Sequence, residues 1–268
     1  MQILNLVNPK KSDICYTLSR FPDGEVQISL GEFNHKDQVC VKCRITNAEE
    51  LFIVAQVIDI LDRHDVSYDI NIFYLMGMRM DRVMDFNRPF TLKVILKILD
   101  SSNAENIAIL EPHSDVIYDC RFGNKFRALY TEEFDRPDLK TQNYQIVLPD
   151  AGAAERYGGL DSYIICSKIR DTTTGRILQV EIDNPEKISD RPLMILDDLC
   201  DGGGTFCGIA EALRNLGVPK ERLNISVIHM VNPKGIIKLS ENFNHVWITN
   251  SYKNWRDLPE NVTMLKVI

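Results

Sequence analysis

No stretch of the sequence is apolar for long enough to cross a membrane, and Met1 leads into a mixed segment without a basic start. Neither secretion nor a membrane span is therefore expected. Positive charge is in short supply as well. The 31 Lys and Arg face 38 Asp and Glu, and the net charge of −7 argues against nucleic acid or an anionic membrane as main partner. A nucleotide remains compatible with that balance, because phosphate sites are local. The glycine-rich segment lacks a following Gly-Lys-Ser/Thr and does not match the dinucleotide fingerprint, which excludes the two commonest phosphate loops. A second cysteine pair is missing too. Cys40-Val41-Lys42-Cys43 stands alone in a strand-like pattern, so neither zinc nor redox use is expected of it. The seven cysteines are an odd number, most inside apolar runs such as Tyr163-Ile164-Ile165-Cys166. Reduced, buried thiols in a cytoplasmic protein are the expectation.

What is present suits a soluble α/β protein. With 268 residues, 44% hydrophobic and 26% charged, the chain can bury one large core or two smaller ones. Strand-like and helix-like periods alternate along it, which predicts parallel sheets wrapped by helices. One segment stands out: Leu193-Met194-Ile195-Leu196-Asp197-Asp198-Leu199-Cys200-Asp201-Gly202-Gly203-Gly204-Thr205. Its four consecutive apolar residues read as a strand buried on both faces. Phe206, Ile209, Ala210, Leu213 and Leu216 then recur at helical spacing until Gly217 stops the helix. A glycine turn at a helix N-terminus offers backbone N–H groups to a phosphate. The three glycines alone serve equally well as a plain turn. Asp197 and Asp198 before them can accept hydrogen bonds from sugar hydroxyls or hold a metal, so the whole string suits a ribose phosphate.

The remaining segments follow in order. Ile3 to Val7 is apolar, and Val26-Gln27-Ile28-Ser29-Leu30 alternates beyond the turn Phe21-Pro22-Asp23-Gly24-Glu25. Leu51, Val54, Ala55, Val57, Ile58 and Leu61 predict a core-facing helix after Thr46-Asn47. The strand Ile70–Leu75 empties into Arg79-Met80-Asp81-Arg82, either a solvated loop or a clamp for phosphate oxygens. Ile107–Leu110 ends in Glu111-Pro112-His113, where a single His is structural or a ligand. Residues 131–143 are polar and contain a proline, a candidate domain boundary. Gln145–Leu148 leads to Pro149-Asp150-Ala151-Gly152. Ile164–Arg170 is a strand that puts Lys168 and Arg170 on one side, followed by 171–176, which has no apolar anchor and is expected to form a mobile flap.

The segment 193–205 resembles the phosphoribosyl-diphosphate motif shared by type I phosphoribosyltransferases and ribose-phosphate diphosphokinases. Five further segments, in family order, are similar to diphosphokinase motifs. Phe21–Glu25 matches Phe-x-Asp-Gly-Glu, which phosphoribosyltransferases lack. Arg79–Arg82 matches the ATP loop Arg-Gln-Asp-Arg with Met80 in place of Gln. Glu111–His113 matches Asp-x-His, Pro149–Gly152 matches Pro-Asp-x-Gly, and Lys168–Arg170 matches Lys-x-Arg at the root of a catalytic loop. The chain departs from the family at 115–118, where Asp115-Val116-Ile117-Tyr118 replaces a run involved in oligomer contacts and inhibition, and it is shorter at its C-terminal end.

The resemblance implies two type I phosphoribosyltransferase-like α/β domains, 1–136 and 137–268, each a mainly parallel sheet flanked by helices, with the active site between them. It implies transfer of the β,γ-diphosphate of ATP to the anomeric hydroxyl of a ribose 5-phosphate unit, releasing AMP, with Mg²⁺ held by His113 and Asp150. Phe21, Asp23, Glu25, Arg79, Asp81, Arg82 and His113 would bind ATP, the hairpin residues in a neighbouring subunit, so that the protein would be at least a dimer. Asp197, Asp198, Asp201, Gly202, Gly203, Gly204 and Thr205 would bind the ribose phosphate. Lys168 and Arg170 would neutralise charge on the transferring group. Gly202 stands where the family has Thr, which leaves ADP-ribose open as an alternative acceptor. A phosphoribosyltransferase and an inactive regulatory homologue are the other readings.

Overall fold

The computed structural model describes residues 1–118, 125–130, 143–157, 163–170 and 177–268, with the side chains of all but 168–170 and 177–179. By Cα proximity the chain divides into two compact units, Met1–Glu133 with Ile268, and Phe134–Val267. The candidate boundary at 131–143, but for Asn143, and the expected flap at 171–176 lie outside the described residues.

In the first unit the chain runs β1 (Gln2–Asn5), β2 (Tyr16–Arg20), β3 (Val26–Leu30), β4 (Val39–Ile45), α1 (Ala48–Arg63), β5 (Tyr68–Leu75), α2 (Thr91–Asp100), β6 (Asn106–Leu110) and β7 (Phe126–Leu129). Five strands form one sheet in the order β1-β4-β5-β6-β7, every pair parallel. Helical crossovers are what parallel neighbours require, and α1 and α2 supply them between β4, β5 and β6. The first crossover is well started. Asn47 accepts the Glu50 N–H at 3.0 Å, and the Glu50 carboxylate reaches back to the Thr46 N–H at 2.6 Å. Leu51, Val54, Val57, Ile58 and Leu61 then bury one stripe of α1. β2 and β3 form a separate antiparallel hairpin. The side chain of Gln56, on α1, is hydrogen-bonded to it twice, donating to Val26 O at 2.9 Å and accepting from Ile28 N at 3.0 Å.

The second unit runs β8 (Gln145–Leu148), α3 (Ala151–Tyr157), β9 (Tyr163–Arg170), β10 (Ile177–Ile182), β11 (Leu193–Cys200), α4 (Gly204–Asn215), β12 (Leu223–Met230), α5 (Pro233–Asn242), β13 (His245–Thr249) and β14 (Val262–Leu265). The sheet order is β10-β9-β8-β11-β12-β13-β14, parallel throughout except for the antiparallel pair β9–β10. Both units thus belong to the α/β class that the alternating periods predict. Two edges go beyond the sequence reading: β10 turns back along β9, and β14 adds a strand beyond β13. Both edge strands are short or interrupted by polar residues, so their apolar signal is weak.

The β11 strand is central, and its alternation feeds both faces. Leu193 and Ile195 pack in the cluster that includes Phe206, Ile209 and Leu213 of α4 and Ile236 and Leu239 of α5. Met194 and Leu196 point the other way, into the cluster of Tyr144, Leu148 and Ala153. All four are 0–3% exposed. A strand covered on both faces is why the sequence shows an unbroken apolar run. Gly217 takes φ +88° just past α4, the left-handed residue that ends the helix. No helix among the described residues is long and apolar enough to cross a membrane.

Candidate active site

The strand order reverses between β8 and β11. From β8 the chain moves outward to β9 and β10, then returns to lay β11 on the other edge of β8. In open α/β sheets the carboxyl ends of two such strands bound a crevice where ligands bind. Both strands deliver acids there. Asp150 follows β8, and its Oδ1 accepts the Ala153 N–H at 3.0 Å, capping α3. Asp197 and Asp198 lie in the second half of β11, and Asp201 directly follows the strand.

The two adjacent acids are unequal. Asp198 has a side chain 1% exposed, Asp197 one 13% exposed. Both accept from the same nitrogen of Arg156, on α3: Nη2 lies 2.7 Å from Asp198 Oδ1 and 3.2 Å from Asp197 Oδ1. Asp197 Oδ1 also accepts the Asp198 N–H at 3.0 Å. Burial, and then the neighbouring Asp198, push the Asp197 carboxyl up to about 8, against the opposing pull of Arg156. Burial alone would lower the guanidinium of Arg156, but Asp198 and Asp197 outweigh it and hold it above its ordinary value. The sequence reading missed Arg156. Its only local signal is a lone basic residue in a short helix directly after an acid.

The glycine turn is built tightly on one side and openly on the other. Gly203 takes φ +75° at the N-cap of α4, a conformation that favours glycine, and its O accepts the Cys207 N–H at 3.0 Å. Asn232 caps α5 by accepting the Lys234 N–H at 3.0 Å, and its amide donates to Asp201 Oδ1 at 3.0 Å. The first turn of α5 presses so closely that a Cβ on Gly235 would lie 2.1 Å from Asp201 O. Gly235 is the second residue the sequence reading overlooked. Around Gly202 and Gly204 a Cβ would meet nothing within 4 Å. The cradle residues Asp201 to Thr205 therefore sit between two helix starts, with free space above two of the glycines. Lys168 and Arg170 close β9, opposite Val180 and Ile177 of β10; their side chains lie outside the described set.

The remaining candidates lie in the first unit. Phe21, Asp23 and Glu25 are exposed in the β2–β3 turn. Gly24 takes φ +97°, the Phe21 N–H bonds Glu25 O at 2.9 Å, and Asp23 Oδ1 accepts the Glu25 N–H at 3.2 Å. Arg20 ties this turn to α1 by donating to Gly24 O and to Glu49, both at 2.7 Å. Arg79 and Arg82 are exposed after β5, and Arg82 Nε donates to Asp81 at 3.2 Å. His113 is half-buried after β6, two residues past the buried Glu111, whose φ of +37° is a strained value for a non-glycine residue. Since β5 and β6 are parallel neighbours, these two loops leave the same end of the sheet. Among the described residues no group of three or more His, Cys, Asp or Glu forms a ready metal site.

No protein-family model matches the sequence. Curated relatives do. A protein of Xylella fastidiosa named ribose-phosphate pyrophosphokinase, another word for the diphosphokinase, is 29% identical over 219 residues, 76% of this chain and 66% of the relative. One of Vibrio cholerae with the same name is 27% identical over 222 residues, 76% of this chain and 68% of the relative. The match to the first of these thus spans just under two thirds of its length. Among solved structures, the phosphoribosylpyrophosphate synthetase of Mycobacterium smegmatis superposes with a TM-score of 0.71 at 17% identity, over 97% of this chain and 88% of that one. That likeness establishes the fold.

Proposed function

We propose that this chain, a homologue of the ribose-phosphate pyrophosphokinases, transfers the β,γ-diphosphate of ATP to the anomeric hydroxyl of a ribose 5-phosphate unit and releases AMP. The observation that carries this reading is the acid pair Asp197–Asp198 beside the glycine cradle, at the point where the strand order reverses. A cradle of backbone N–H groups takes the 5-phosphate, and a carboxylate next to it accepts from the sugar hydroxyls. The sugar is thereby turned so that its anomeric oxygen faces the incoming phosphorus. Lys168 and Arg170 neutralise charge that builds on the transferred group, and Arg79 and Arg82 grip the triphosphate, where arginine's fork fits two oxygens at once. Asp150 offers the oxygen donors that Mg²⁺ takes when phosphates and water complete the shell, with His113 as the second proposed ligand, and the ion would shield charge on the triphosphate. Phe21, Asp23 and Glu25 serve a site in a second copy of the chain, and the working place is the cytoplasm.

The reading is tested by mass spectrometry of the products formed from ATP, Mg²⁺ and a panel of ribose phosphates. AMP and a 1-diphosphate are expected, each dependent on the acceptor. ADP in place of AMP would point to an ordinary kinase and end the proposal.

The open space at Gly202 favours a second acceptor, ADP-ribose, whose 5-phosphate continues into a diphosphate link. A terminal phosphate benefits from donors on every side, whereas a linked one needs an opening. Gly202→Thr adds a hydroxyl donor in space already free and at a backbone angle outside the left-handed region. It is expected to shift the kcat/KM ratio about tenfold toward ribose 5-phosphate, the scale of one hydrogen bond to a charged group. An unchanged ratio would show that this position does not choose the acceptor.

A further inference from the structure

Two adjacent aspartates in a sheet interior need a counter-charge if either is to stay ionised and both correctly turned. One nitrogen provides it here, Arg156 Nη2, at 2.7 Å from Asp198 Oδ1 and 3.2 Å from Asp197 Oδ1. The three side chains are 18, 1 and 13% exposed, so this is no surface ion pair of small net worth. The guanidinium is also placed by its own helix. A Cβ on Gly152 would sit 3.4 Å from Asp150 Oδ1 and 3.9 Å from Arg156 Nη1, so the acid that caps α3 and the arginine that leaves it flank the same glycine. In this way α3 carries the capping acid of β8 at one end and the counter-charge of the β11 acids at the other.

We propose that Arg156 is a positioning residue of the acceptor site. It fixes Asp197 and Asp198 as a charge-balanced, oriented pair before the sugar arrives. Asp197, the more open acid, then meets a ribose hydroxyl, while the enclosed Asp198 anchors Arg156. The inference rests on the reading of this pair as the acids that receive the vicinal hydroxyls of a ribose phosphate. It extends that reading by separating the two acids and by adding a third residue, 41 positions away from Asp197 in sequence.

The test compares Arg156→Met and Arg156→Lys with the unaltered protein. Measured are KM for ATP, KM for ribose 5-phosphate and for ADP-ribose, and calorimetric binding of each acceptor, with circular dichroism to check the fold. Arg156→Met is expected to weaken acceptor binding about tenfold or more, the effect of unmaking charge-assisted hydrogen bonds, with the ATP constant within about twofold. Arg156→Lys should recover part of the loss, since an ammonium restores the charge without the fork. If Arg156→Met does not fold, Arg156→Met with Asp198→Asn removes the stranded buried charge, and the same acceptor loss is expected from the double variant. A folded variant whose acceptor constants stay put, or move equally with that of ATP, overturns the inference alone. An unaltered protein that binds neither acceptor and forms no AMP overturns the functional reading, and the inference falls with it.

Discussion

The candidate residues of the two units are prepared to opposite degrees. In the second unit the acids of β11 are enclosed, balanced by Arg156 and backed by a buried core on both faces of the sheet. In the first unit the loop after β5 carries Met80, Val83, Met84 and Phe86 at 51, 58, 72 and 98% exposure, and Phe21 at the hairpin tip is 49% exposed. A small, highly charged ligand is best met by groups whose fields are fixed in advance, because reorienting them during reaction costs energy. Exposed apolar side chains teach something else. They gain by being covered, and under the proposed function a nucleotide base or a second copy of the chain would cover them.

The largest expected effect bears on the exposed side of this contrast. Asp23→Ala and Lys168→Ala should each lower kcat by about a hundredfold or more, and mixing the two variants should restore activity through composite sites. Activity that does not return on mixing, or a fully active monomer by sedimentation, would place the hairpin outside any shared site. On the prepared side, Gly235→Ala puts a methyl group 2.1 Å from Asp201 O, so the cradle must shift. Acceptor KM should rise about tenfold, and stability should fall by about 1–3 kcal/mol, the usual range for forced overpacking. An alanine variant with unaltered acceptor KM and melting temperature would show that the approach of α5 does not shape the cradle.

A third effect concerns pH. Asp197 titrates near 8 in the folded chain against 3.8 for a free carboxyl. Between those values the folded protein keeps a proton that the unfolded chain has released. The stability tied to that proton is complete below pH 3.8, declines as pH climbs, and is gone once pH passes 8. Asn at this position has no proton to lose. The melting temperature of Asp197→Asn relative to the unaltered protein should therefore rise steadily between those limits and level off above them. A difference that stays constant with pH would mean that the buried acid is ionised throughout.

How much of this could be read beforehand depends on how local each feature is. The β11–α4 segment was legible because burial on both faces leaves an unbroken apolar run and the turn demands glycine within a few positions. The cap at Asn47 and the stop at Gly217 are local for the same reason. Arg156 was not legible, since its meaning arises only when α3 folds over a strand some forty positions later. Gly235 was hidden likewise: nothing in Pro233-Lys234-Gly235 says that the carbonyl of Asp201 will press against it. The reversal of strand order between β8 and β11 is a property of the whole sheet, and no window of sequence contains it.

Gln56 carries a consequence of its own. Its amide bonds Val26 O and Ile28 N, two positions apart on the outer edge of the hairpin, as the backbone of a third strand would. A ribbon held at both groups by a helix side chain cannot slip along that helix by one residue, because the slip would offer the amide the wrong groups. The hairpin is in effect a ruler clamped to α1, and the distance to which its tip projects is set by residue count alone. Lengthening β2 and β3 by a matched pair of residues would move the tip by one pleat without loosening its base, which makes reach a property that can be changed independently of the rest of the molecule.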